Sequence, residues 1–136
     1  MNDDDQLAAG IGATEILPQW SLDELREAQG TDHGIGRVIY HLATAKEQPE
    51  ATGDWTTDGE LRRYRQIWPQ LKIVNGVLYH QVEPGSKDER LVLVVPRKMR
   101  GNVLDLSHNN PCSGHMGVTR CVERLQRQYY WPGMSS

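Results

Sequence analysis

The sequence predicts an α+β fold: helices first, then a small three-stranded antiparallel sheet, then a further helical segment. Three observations predict it. Stretches of the first half repeat apolar residues at helical spacing behind capping residues. The period changes to that of strands on either side of Asn75-Gly76. After Pro96 it returns to helical.

Residues 1–19 are acidic and then Gly/Ala-rich, with no sustained period, and read as a mobile acidic leader. Organisation begins at Trp20. Ser21-Leu-Asp-Glu24 is a capping box opening a short helix, in which Leu22, Leu25 and Ala28 share a face and which Gly30 ends. A second helix is expected from about Gly34 to Lys46, because Ile35, Val38, Ile39 and Leu42 follow the spacing of a buried stripe. Residues 47–55 contain Pro49 and Gly53 and read as a loop. Thr57-Asp-Gly-Glu60 has the form of another capping box and predicts a third helix with Leu61, Tyr64, Ile67 and Trp68 on one face, closed by Pro69. Capping accounts for Glu24 and Glu60 in this reading.

Leu71–Val74 and Val77–His80 flank Asn75-Gly76, a pair that accepts the positive φ angles of a type I′ turn, so a hairpin is expected. After a polar loop, Leu91–Val95 is apolar throughout and predicts a third strand ended by Pro96. Three strands covered on one face by a helix reach the minimum for a stable sheet. A fourth helix is expected from about Lys98 to Ser107, with Gly101 as a weak point, and a fifth after His115 with Val118, Cys121, Val122 and Leu125 as its stripe. Tyr129, Tyr130 and Trp131 are too large to leave exposed and should dock back on the core. The organisation predicted is a leader at 1–19, a helix-and-hairpin domain at 20–96, and a helical subdomain at 97–136.

The 136 residues are 38% hydrophobic and contain no Phe, so Trp, Tyr, Leu, Val and Ile must fill the core. The net charge of −3 hides an asymmetry: residues 1–60 carry thirteen acids and three bases, and residues 61–136 carry twelve bases and five acids. The acidic half would repel phosphate; the basic half could meet nucleic acid, though its charge density is modest. No apolar run approaches the roughly 20 residues that span a bilayer, and the acidic opening is the reverse of a secretory leader. A membrane-free, intracellular setting, nuclear or cytoplasmic, is therefore expected, with Cys112 and Cys121 as reduced thiols.

His108-Asn-Asn-Pro-Cys-Ser-Gly-His115 places two histidines around a Pro/Gly turn, and Tyr129-Tyr-Trp-Pro-Gly-Met134 follows. Together with Arg26–Asp32, the hairpin ending Asn-Gly-Val-Leu-Tyr, the strand Leu-Val-Leu-Val-Val-Pro and the Gly114-His-Met-Gly117 turn, this order resembles the integrases of gypsy-class LTR retrotransposons and retroviruses. The resemblance implies an N-terminal extension joined to a truncated His-His-Cys-Cys zinc-binding domain. It places zinc ligands at His108 and His115, and it implies a downstream cysteine pair that the 136 residues do not contain. Cys112 and Cys121 are further sulfur donors nearby but match no ligand position of the family, and Cys121 falls on an apolar stripe as a small buried thiol. A structural zinc site needs four donors. The expectation is therefore no zinc, or less than one equivalent, with His108 and His115 as turn residues.

The catalytic core of an integrase, whose carboxylates hold two metal ions, lies beyond the zinc domain in that family. No phosphate loop or nucleophile arrangement stands in its place here, and the reading is non-enzymatic. Function should then lie in multimerisation and protein contacts, with Val118, Val122, Leu125, Tyr130 and Trp131 as interface candidates. Weak, salt-sensitive or absent nucleic-acid binding would fall to Arg97, Lys98, Arg100, Arg120, Arg124 and Arg127. The alternative is a host-adopted, stand-alone protein derived from a gypsy integrase and acting through protein–protein contacts.

Overall fold

A computed structural model of the chain describes residues 20–108 and 125–134, with 106–108 by backbone alone. The elements are α1 (Leu22–Gly30), α2 (His33–Thr44), α3 (Asp54–Thr57) and α4 (Gly59–Gln66), then a 3₁₀ turn at Trp68–Gln70. Strands β1 (Leu71–Val74), β2 (Val77–Val82) and β3 (Arg90–Val94) follow, then α5 (Arg97–His108) and β4 (Tyr129–Tyr130).

The α+β prediction holds, and the sheet is larger than expected. Its order is β1-β2-β3-β4. The first three strands are antiparallel, and β4 runs parallel to β3, with Leu93 beside Tyr129 and Val94 beside Tyr130. A parallel neighbour requires a crossover rather than a hairpin, and α5 lies on that crossover.

Alternate residues of each strand face opposite sides, and the two sides carry separate cores. On one side Val77, Tyr79, Leu93, Val95, Tyr129 and Trp131 meet Leu25 and Ala28 of α1 and Met99 and Val103 of α5. On the other, Leu71, Leu78 and Val94 meet Ile35 and Val38 of α2, Trp55, Leu61, Tyr64 and Trp68. The molecule is thus a helix–sheet–helix sandwich. Tyr129 and Trp131 dock on the first of these cores and Tyr130 on the second, which ties β4 to both.

Most local predictions hold. Both bonds of the Ser21–Glu24 capping box form. Asn75 and Gly76 take φ of 53° and 77°, as a type I′ turn requires. Their turn is held by Arg26, whose Nε donates to the Asn75 carbonyl at 2.6 Å. Gly101 sits inside α5 without ending it.

Three local predictions need correction. Asp54 and Trp55, read as the end of a loop, instead open a short helix that runs to Thr57. The cap of α4 is Asp58, not Thr57: one carboxylate oxygen accepts from the Glu60 and Leu61 amides, each at 3.0 Å. Asp is as good a cap as Thr, and with Asp58 in that place Glu60 is not needed as a cap partner. Finally, α4 ends at Gln66, and Trp68 belongs to the 3₁₀ turn that carries Pro69.

Candidate functional site

The segment bearing the candidate ligands is anchored at α5. Its first amide, Arg97 N–H, donates to the second carboxylate oxygen of Asp32 at 2.8 Å. The first oxygen of Asp32 already caps α2 through the Gly34 and Ile35 amides, each at 3.0 Å. One carboxylate therefore caps two helices.

Glu60 supplies the second anchor. Its two oxygens accept from Arg100 Nη1 at 2.8 Å and Nη2 at 3.0 Å, a bidentate pair, and Arg97 Nε lies 3.3 Å away. The Arg100 side chain is 14% exposed and that of Glu60 19%. Burial works against the Arg100 charge, but the Glu60 hydrogen bonds and charge outweigh it, and the guanidinium pKa is raised. Arg100 Nε donates to the Val95 carbonyl at 3.0 Å, and the guanidinium stands 5.8 Å from the Trp131 ring centre. The sequence reading of Glu60 as a capping residue is thus overturned.

These contacts bear on the six basic residues singled out for nucleic acid. Arg100 is engaged inside the fold and its fork is filled, and Arg97 shares Glu60 with it. Lys98 and Arg127 are exposed. Arg120 and Arg124 lie outside the described residues. Of the interface candidates, Trp131 is 8% exposed and belongs to the core, which removes it from any exposed patch. Leu125 is half-buried against the same core, and Tyr130 packs against Tyr64 and His80. Val118 and Val122 lie outside the described residues.

The metal-ligand candidates are barely covered. The backbone of His108 is the last residue of α5; its side chain, and all of Cys112, His115 and Cys121, lie outside the described residues. Among the described residues no group of three or more His, Cys, Asp or Glu side chains is placed to hold a metal ion. The other histidines have structural surroundings. His41 packs edge-on against Trp55 and Trp68 at 5.8 and 5.4 Å, His33 opens α2, and His80 lies on β2. Among the described residues no helix is long and apolar enough to cross a membrane.

One buried residue escaped the sequence reading. Gln29 is the buried polar residue of α1, with no exposed surface. Its Nε2 donates to the carbonyls of Leu78 at 3.1 Å and Val94 at 2.8 Å, and its Oε1 accepts from Leu78 N–H at 2.8 Å. The β2–β3 register runs from Val82↔Arg90 to Tyr79↔Leu93, so Leu78 and Val94 would form the next rung. The Gln29 amide fills that rung. The available signal was a Gln among the apolar residues of an otherwise polar helix.

Residues 95–136 match the family model of the integrase zinc-binding domain. No curated protein and no solved structure matches the chain. The match supports an integrase-related protein and covers α5, β4 and both candidate histidines. Four nitrogen or sulfur donors make a structural zinc site. The matched segment contains His108 and His115, and the 136 residues contain no Cys-x-x-Cys pair.

Proposed function

We propose that this chain is a non-catalytic module of an integrase-related protein, acting through self-association and protein contacts, with weak contact to nucleic acid at most. One observation carries the reading. Strand β4 belongs to the segment similar to the integrase zinc-binding domain, and it is bonded into the upstream sheet: Leu93 N–H donates to the Gln128 carbonyl at 3.1 Å and Val95 N–H to Tyr130 at 2.9 Å. The helices and hairpin thus form the base on which the zinc-binding-like segment is mounted. A rigid base of this kind suits a part whose work is to hold and present surfaces.

The matched family is that of a zinc-binding segment, not of a catalytic core. In this reading His108 and His115 would be its contribution to a zinc site, and the isolated chain carries less than one equivalent. The engagement of Arg100 and Arg97 by Glu60 leaves fewer free cations for phosphate, which favours protein over nucleic acid as partner.

Light scattering of the purified chain over a wide concentration range tests the proposal. The expected result is a mass that rises above that of the 15.4 kDa monomer. A strict monomer at the highest concentrations, or salt-resistant nanomolar DNA binding, would overturn it.

A further inference from the structure

At the outer end of the sheet, on the face that carries α4, a cleft of about 220 Å³ opens. His80 and Val82 of β2, Val92 of β3 and Tyr130 of β4 line it, Arg63 of α4 stands beside them, and the turn at Gly133 and Met134 closes the rim. The register sets His80 beside Val92 and Tyr130 beside Val94. At about 30 Å³ per water in the liquid, the space holds a group the size of a large side chain.

Among the described residues the lining carries one cation and no acid. Arg63 Nη1 donates to Gln66 Oε1 at 3.1 Å, and among the described residues no carboxylate forms an ion pair with it. His80 Nε2 lies 3.0 Å from Gln70 Oε1. An amide oxygen can only accept, so the ring carries its proton on Nε2 and leaves Nδ1 a bare acceptor. Burial, and secondly the Arg63 charge, push the His80 pKa down to about 4, so the ring is neutral at physiological pH.

His80 Nδ1 is buried without a hydrogen-bond partner, and the buried Tyr130 hydroxyl has no acceptor for its proton. Burial raises the Tyr130 pKa, and Arg63, which donates towards the phenol oxygen and sets its charge beside it, opposes that rise. The phenol therefore stays protonated and able to donate. The phenol proton on the cleft wall calls for an acceptor as occupant.

We propose that this cleft binds a carboxylate borne on a small apolar body, with Arg63 taking the carboxylate, Tyr130 donating to it, and the valines and the His80 ring receiving the body. A planar monoanion matches a single guanidinium fork. A phosphate dianion would leave a charge uncompensated, because among the described residues the lining offers no second cation. The carboxylate can come from a free small acid or from an acidic side chain of a partner polypeptide. This site is independent of the integrase reading.

The test is an amide-shift titration of the isotopically labelled whole chain. The probes are benzoate, its neutral counterpart benzamide, a capped peptide with one glutamate, and inorganic phosphate. Arg63→Gln and Tyr130→Phe probe the site, and Arg62→Gln, exposed on the same helix, is the control. Melting curves check that each variant is folded. Benzoate or the glutamate peptide should give saturable shifts in 80–82, 92 and 126–134. Binding should weaken about tenfold or more in Arg63→Gln, the scale of one lost charge-assisted contact, weaken less in Tyr130→Phe, and hold in Arg62→Gln. Saturation by benzoate alone assigns the site to a free acid; saturation by the peptide, alone or more tightly, assigns it to a partner's acidic side chain. Absence of saturation with both, equal binding of benzamide, tighter binding of phosphate, or unchanged binding in Arg63→Gln overturns the proposal.

Discussion

Replacing Gln29 with Ala should be among the most damaging single changes in the upstream part of the chain. The side chain is fully buried and makes three hydrogen bonds, to Leu78 N–H, the Leu78 carbonyl and the Val94 carbonyl. Ala removes all three at the point where β2 and β3 part. A hydrogen bond contributes about 1 kcal/mol net, and a buried group left unmet costs about 1–3 kcal/mol. Three bonds set a floor near 3 kcal/mol, and a water entering the vacated space holds the total to about 5 kcal/mol. Domains of this kind have about 5–15 kcal/mol in all. With a urea slope of about 2 kcal/mol per molar, the unfolding midpoint should fall by about 1.5–2.5 M. A fall under about 0.5 M would show that the rung is dispensable. Gln29→Glu adds a sign. Burial raises the carboxyl pKa above its unfolded value near 4.3. The variant should therefore be most stable below about pH 4 and lose stability as pH rises; the opposite slope would refute the placement of Gln29.

Other outcomes follow from the same contacts. Glu60→Ala leaves the Arg100 guanidinium unpaired at 14% exposure and should cost roughly 2–3 kcal/mol by thermal melting, less than a fully buried pair because both groups touch solvent; the double variant Glu60→Ala/Arg100→Met should recover part of the loss. Trp131→Ala empties a core position 8% exposed and should cost about 3–5 kcal/mol in denaturant unfolding. His80 has a folded pKa of about 4, below the unfolded 6.5, so its contribution is complete above about pH 6.5 and is lost as pH falls towards 4. In His80→Gln, urea midpoints measured at pH 7, 5 and 4 should fall less with acid than in the parent chain.

What the sequence made legible was local. The Ser21 capping box, the Asn75-Gly76 turn and the apolar stripe of α2 each depend on residues a few positions apart, and each formed. What it hid was decided at a distance. Gln29 looked like an ordinary polar residue because its partners lie 49 and 65 positions away. Glu60 had the spacing of a capping box, but Asp58 satisfied the helix end and Arg100, 40 positions on, took the carboxylate. Strand β4 is two residues long, too short to show a period, and its parallel partner is reached across a crossover. His108 and His115 were visible as a sequence motif, whereas Arg100 was hidden by composition, which counts it as a surface charge while the fold commits it to Glu60.

The central claim is that the integrase-like segment and the upstream helices and hairpin form one module through β4. Native-state hydrogen exchange at Leu93 and Val95 tests it most directly, since these two amides donate to Gln128 and Tyr130. If the claim holds, both exchange as slowly as the β2 core amide of Tyr79, with the free energy of global unfolding. Rapid exchange at Leu93 and Val95 beside a protected Tyr79 would contradict it, because β4 would then open without disturbing the rest of the sheet.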